Sequence, residues 1–371
     1  MDTQNTIFAN PGALGVKPYV PGKSAREASR ELGLSQVVKL ASNENPHGSS
    51  PLARQALAGL GDRLHLYPDS TCEELRGRLS NDLGVSPEEI TVGNGVDGVI
   101  YNLGMACIDQ GDEAVIPRVS YPMYETIVRV MRGAPVFSAM KGLRIDLQDM
   151  RRRISPRTKA VFLCNPNNPT GDALPREELI RFVAEAPATV LIVLDEAYID
   201  FTDPGLRPGS VSLFREGRKN LFILRTFSKL YGLAGVRIGY GLGDRALVVL
   251  IHRIKPPFAV SSLAEQLALK ALEDVEFARR TLEDCSRQKR AFYEQLESLG
   301  LGYVPSHTNF VLVDTGRDAQ EIFEGLLARG LIVRPGKQYG LPTHIRVTVG
   351  LQEENKRLFQ ALRETLAVRS S

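Results

Sequence analysis

Between about residues 50 and 250 the chain alternates short apolar runs with amphipathic stretches of helical period. The runs are EITV (89–92), EAVIP (113–117), KAVFLC (159–164), TVLIVLD (189–195), NLFILR (220–225) and VRIGYG (236–241). Several are apolar on successive residues rather than on alternate ones. That pattern predicts strands buried on both faces of a mainly parallel sheet. Strand and helix in alternation predict an α/β, doubly wound architecture. Two prolines at 256–257 break the pattern. A long helical stretch follows (262–300), then the shorter strand candidates NFVLVD (309–314), GLIVRP (330–335) and HIRVTVG (344–350). This reads as a smaller α+β unit. The opening is Pro/Gly-rich (NPGALGVKPYVPG) and then carries a short helix, SAREASRELG. Such an arm cannot bury itself and must lie on something. The predicted organisation is an arm at 1–44 joining the small domain, a large domain at 45–259, and a small C-terminal domain at 260–371.

A chain of 371 residues supports a large core plus a second domain. Lys+Arg number 46 and Asp+Glu 43, a net +3 too balanced to point to nucleic acid or a membrane surface. The densest basic run, RRRISPRTK (151–159), reads as a helix end and turn with a solvated face. The four cysteines (72, 107, 164, 285) form no C-x-x-C, and no leader-like segment is seen, so a reducing cytoplasm is expected. No apolar run approaches a membrane span. The five histidines are scattered without a paired motif, so no metal site is expected.

In open α/β sheets ligands bind beyond the carboxyl ends of the strands. After EITV comes GNGVDG (93–98), after EAVIP comes RVSYPMY, after KAVFLC comes NPNNPTG, after TVLIVL comes DEAY, and after NLFILR comes TFSK. This edge offers a lysine (Lys229), an acid closing a very apolar strand (Asp195), two tyrosines (Tyr121, Tyr198), an amide (Asn168) and anion donors (Gly95 to Asp97, Ser228, Arg237). Each alone has an ordinary explanation: a helix cap for Asp195, a core aromatic for Tyr121, a turn for the Asn-Asn-Pro-Thr-Gly run. Together they suit a pyridine-type cofactor: a buried acid can pair with a protonated ring nitrogen, and a lysine of lowered pKa can form a Schiff base.

GNGVDG also matches the G-x-G-x-x-G spacing of dinucleotide-binding turns. That reading needs an acid at the end of the second strand to hold the ribose. Here Asp112 and Glu113 precede that strand and Arg118 follows it. A dinucleotide-dependent dehydrogenase would also leave Lys229, Asp195 and Arg237 without a purpose.

With RTFSKLYGLAGVRIGYG (225–241), NPNNPTG and VLDEAYIDF in place, the chain resembles the fold-type I pyridoxal-phosphate aminotransferases. VKPYVPGK (16–23), LASNENPHG (40–48), LYPD (66–69), LIVRPG (331–336) and HIRVTVG narrow the likeness to the histidinol-phosphate aminotransferase family. The resemblance spans nearly the whole chain. It implies pyridoxal 5′-phosphate as cofactor, held covalently by Lys229, which also moves the proton. Asp195 would pair with the ring nitrogen, Tyr198 and Asn168 with the ring oxygen, and Tyr121 would stack on the ring. The phosphate would lie on the N–H groups of Val96 and Asp97 beyond Gly95, with Ser228, Arg237 and, more weakly, Thr226 around it. Substrate contacts are implied for Tyr19, Asn43, Tyr67, Asn168, Arg334 and Arg346. Tyr67 would act across a homodimer interface. The reaction implied is transamination of L-histidinol phosphate with 2-oxoglutarate, in histidine biosynthesis. The family loop commonly reads Ser-Asp-Glu after its second glycine. This chain has Val96-Asp97-Gly98, which removes a hydroxyl but keeps the backbone donors. An aromatic aminotransferase and a threonine-phosphate decarboxylase remain open within the fold. A non-catalytic cofactor-binding regulator would normally carry an extra module, and no stretch reads as one.

Overall fold

The computed structural model describes residues 10–16, 18, 23–33 and 36–367. Its centre is a seven-stranded sheet. Across the sheet the order is Ile90–Asn94, Ile238–Leu242, Leu221–Thr226, Leu191–Asp195, Thr158–Cys164, Glu113–Pro117 and Ala134–Ser138. All neighbours run parallel except Ile238–Leu242, which is antiparallel to both its partners.

The continuous apolar runs have the physical basis that the sequence suggests. Val161, Leu163, Ile192, Leu194 and Ile223 enter one core. Ala160, Phe162, Cys164, Val193, Phe222 and Leu224 enter another on the opposite face. Successive residues of a strand point to opposite faces, so burial on both sides demands apolar residues throughout. Ala134–Ser138, which no sequence signal marked, is the edge strand beside Glu113–Pro117 and stays partly exposed.

The smaller unit has a four-stranded antiparallel sheet. Its order is Gly302–Tyr303, Phe310–Asp314, His344–Thr348, Arg334–Pro335. Val311, Val313, Ile345 and Val347 pack there against Phe292, Leu296, Leu358 and Phe359. The arm contributes Val38–Lys39, paired parallel to Leu331–Ile332, and buries Leu40 in the same core. Farther upstream, the short helix Pro11–Leu14 instead lies on the helix Met123–Val130 of the larger unit.

The stretch read as one helical segment after the prolines is two helices, Ser262–Glu273 and Val275–Ser298, separated at Asp274. Asp274 also accepts from Ser50 Oγ at 2.6 Å and caps the second helix through Phe277 N–H. The first helix does not belong with the small core. Ala264, Leu267, Ala268 and Ala271 are buried in the core of the large sheet. The division between cores therefore falls near Asp274, not at 259–260, because the apolar face of Ser262–Glu273 is spent on the larger unit.

Candidate active site

The carboxyl edge of the large sheet and the facing edge of the small one enclose a cavity of about 260 Å³. The wall carries Val96, Asp97, Tyr121, Asn168, Asp195, Tyr198, Thr226, Ser228, Lys229 and Arg237 from the large unit. Arg334 and Arg346 come from the small unit and Asn43 from the connecting segment. Tyr67 lies elsewhere: it is 83% exposed, stacks on Phe258 at 4.7 Å, and does not line this cavity. Tyr19 falls outside the described residues.

Asp195 ends its strand with its side chain on the cavity side. Burial raises its pKa to about 6, against the pull of Tyr124 and the Ala197 N–H. Tyr124 donates to Oδ2 at 2.6 Å and Ala197 N–H to Oδ1 at 3.0 Å. Glu196, the next residue, points to the other face and is fully buried against Arg225 at 2.8 Å and Ser210 at 2.6 Å. Adjacent acids thus serve different ends because a strand alternates its faces. Lys229 is half-buried and its Nζ donates to the carbonyl of Ser42 at 3.3 Å. Desolvation, followed by the charge of Arg346, lowers its pKa to about 8. A lysine so poised is a better nucleophile at neutral pH than an exposed one.

At the other end, the helix Gly95–Cys107 begins directly after the strand Ile90–Asn94. Gly95 starts it at φ +70°, and a Cβ there would collide with the guanidinium of Arg237. A Cβ on Gly239 would sit 2.8 Å from the Val96 backbone N. Backbone packed this closely leaves the N–H groups of the first turn facing the cavity, the arrangement that takes a phosphate. Arg237 precedes its strand in sequence. Only because that strand runs antiparallel, with Ile238 opposite Asn94, does the guanidinium reach this edge. The Asp97 carboxylate holds two neighbours in place, accepting from Tyr121 Oη at 2.8 Å and facing Arg237 Nη2 at 3.5 Å. Thr226 Oγ1 accepts the Ser228 N–H at 3.0 Å, which fixes the turn leading to Lys229.

On the small-unit side, Arg334 and Arg346 face each other across an antiparallel pair, and both are buried. Like charges set opposite one another repel unless an anion lies between them. Arg346 Nη1 donates to Asn168 Oδ1 at 2.5 Å and Nη2 to the Ala41 carbonyl at 2.8 Å, while its Nε has no partner among the described residues. Arg334 Nη2 donates to Gln338 at 2.6 Å. Both peptide bonds Asn165–Pro166 and Asn168–Pro169 are cis.

The donor set matches what pyridoxal phosphate requires. There is a lysine of lowered pKa, a buried acid with nothing cationic bonded to it among the described residues, a helix N-terminus opened by glycine, and a flat aromatic wall. Sequence reading missed Tyr124, whose signal was a second tyrosine three residues after Tyr121 at a helix start. It also missed the Ser42 carbonyl and Thr348, for which no signal existed.

Comparison with known proteins agrees. The profile of the family described as "Aminotransferase class I and II" matches residues 35–362. Over 354 residues the chain is 45% identical to histidinol-phosphate aminotransferase of Moorella thermoacetica, covering 95% of this chain and 92% of that one. It is 40% identical to the enzyme of the same name from Caldicellulosiruptor saccharolyticus, over 95% and 98% of the two chains. The structure is similar to that of histidinol-phosphate aminotransferase from Sinorhizobium meliloti in complex with pyridoxal 5′-phosphate, with a TM-score of 0.90, 28% identity and 98% of each chain covered. The chain belongs to the class I and II aminotransferases of the fold-type I architecture, and within them to the histidinol-phosphate aminotransferase family.

Proposed function

We propose that this chain uses pyridoxal 5′-phosphate to transfer the amino group of L-histidinol phosphate to 2-oxoglutarate, giving imidazole-acetol phosphate and L-glutamate. The observation that carries the reading is the convergence of Lys229, Asp195 and the arginine pair Arg334/Arg346 on one cavity. Bound there, pyridoxal phosphate would supply an electron-withdrawing ring that stabilises the carbanion formed at the substrate Cα.

The chain's own groups do the rest. Lys229 Nζ would take up the proton from the substrate Cα and hand it back, with burial and the nearby Arg346 charge holding its pKa down to about 8. Asp195, kept from water, would accept from a protonated ring nitrogen and so keep the ring electron-poor. Tyr198 and Asn168 would hold the ring oxygen, Tyr121 the ring face, and Val96, Asp97, Ser228, Thr226 and Arg237 the phosphate. Arg334 and Arg346 receive the anionic end of either substrate, since a guanidinium fork suits phosphate and carboxylate alike.

Tyr67, exposed and remote from its own cavity, is assigned to the site of a second copy, which makes the working unit a two-fold homodimer. A cytoplasmic setting goes with this biosynthetic role.

The test is the visible spectrum of protein purified with pyridoxal phosphate. A yellow band that bleaches on adding histidinol phosphate alone supports the reading. A band bleached only by phenylalanine would favour an aromatic aminotransferase. Carbon dioxide release from a phosphorylated amino acid would favour the decarboxylase.

A further inference from the structure

In the cavity wall, Asn43 joins the two units. It is buried and has a φ of +55°. Its backbone N–H donates to Thr348 Oγ1 at 2.9 Å, and its carbonyl accepts from Asn309 Nδ2 at 3.0 Å. The Thr348 oxygen is thereby an acceptor, and its own proton goes to Asn43 Oδ1 at 3.3 Å. Asn43 Nδ2 then faces Tyr198 and donates to its hydroxyl oxygen at 2.9 Å. A phenol has one proton to give. With its oxygen accepting from Asn43, Tyr198 has that proton free for the cavity.

We propose that Thr348 is a positioning residue that fixes which way round the Asn43 amide lies, and so keeps Tyr198 a donor toward the cofactor. The proposal rests on the pyridoxal-phosphate reading, in which the acceptor is the oxygen on the cofactor ring. A hydrogen bond donated to an ionised oxygen favours the ionised form and lowers the pH at which it forms. Without the Thr348 hydroxyl the amide can lie either way. When it is reversed, Asn43 Oδ1 takes the Tyr198 proton and the cofactor loses it. The other titratable and charged groups around the Tyr198 ring and hydroxyl are Arg346, Asp195, Cys164, Tyr121 and Lys229. None of them changes in the variants below.

The experiment is a pH titration of the visible band of holoenzyme reconstituted with pyridoxal phosphate. Thr348→Val should raise the midpoint by about 0.5 pH unit, the worth of part of one hydrogen bond. Thr348→Ser, which restores the hydroxyl, should return it to the wild-type value. In an Asn43→Gly background, where glycine accepts the positive φ and no amide remains, Thr348→Val should have no effect. If Thr348→Val does not fold, Thr348→Ala carries the same expectation. An unmoved midpoint beside a normal wild-type band overturns the proposal alone. The same shift persisting in the Asn43→Gly background also overturns it, because Thr348 would then act by another route. Wild-type protein that gains no band with pyridoxal phosphate overturns the cofactor reading and this proposal with it.

Discussion

Tyr124 donates its hydroxyl to Oδ2 of Asp195 at 2.6 Å, and both side chains are buried. Burial pushes the Asp195 carboxyl up to about 6, and this hydrogen bond is the largest influence holding it down. Tyr124→Phe should therefore raise it further, leaving less carboxylate on the acid side of neutrality. In the apoprotein the titration of the Asp195 carboxyl, followed by infrared difference spectroscopy, should move up by about 0.5 to 1 unit. A titration that stays in place would mean that Tyr124 serves only the packing of its helix.

Lys229 gives a stability prediction with a definite sign. Its folded pKa of about 8 lies below the ordinary 10.5, so the unfolded chain holds the proton more tightly. A depressed group withholds stability below its folded pKa and gives it back as pH rises toward the unfolded value. For apoprotein, Lys229→Met should be more stable than wild type at pH 7 by about 2 kcal/mol, and the difference should shrink between pH 8 and 10.5. Urea unfolding at pH 7 and pH 10 measures it. The same variant should bind pyridoxal phosphate without a covalent link and show no turnover; wild-type turnover would end the aminotransferase mechanism written here.

Arg346 spends its two terminal nitrogens on Asn168 and Ala41 and faces Arg334 across the strand pair. Lysine offers a point charge and cannot make that fork. Arg346→Lys should raise KM for histidinol phosphate and for 2-oxoglutarate by about 10- to 100-fold each. A rise for only one substrate would place the second anion elsewhere.

Tyr67 permits a test of subunit exchange. Tyr67→Ala and Lys229→Ala should each be nearly inactive alone. Unfolded together in equal amounts and refolded, half the dimers would be mixed, and each mixed dimer would hold one intact site, giving about a quarter of wild-type activity. No recovery would remove Tyr67 from the partner's site.

Much of this was legible along the chain. Strands buried on both faces must be apolar at consecutive positions, so the runs at 159–164, 189–195 and 220–225 declared themselves. The residues just past them then had to meet at one edge. Asp195 and Lys229 were readable for that reason, before any coordinate. Tyr124 was harder to find, because a tyrosine inside a helix looks like core until its hydroxyl is seen on an acid.

The sequence by itself determined six of the seven strands of the large sheet, the sheet edge and the side chains that gather there, since local polarity and short-range turns carry that information. Tertiary structure alone decided three things. It ran Ile238–Leu242 antiparallel, which brings Arg237 to the helix that begins at Gly95. It gave Ser262–Glu273 to the large core rather than the small one. It set Thr348 against Asn43, residues 305 positions apart, and so chose the direction in which a hydroxyl proton points. Strand direction, core membership and hydrogen-bond polarity depend on partners distant in sequence, and no local pattern encodes them.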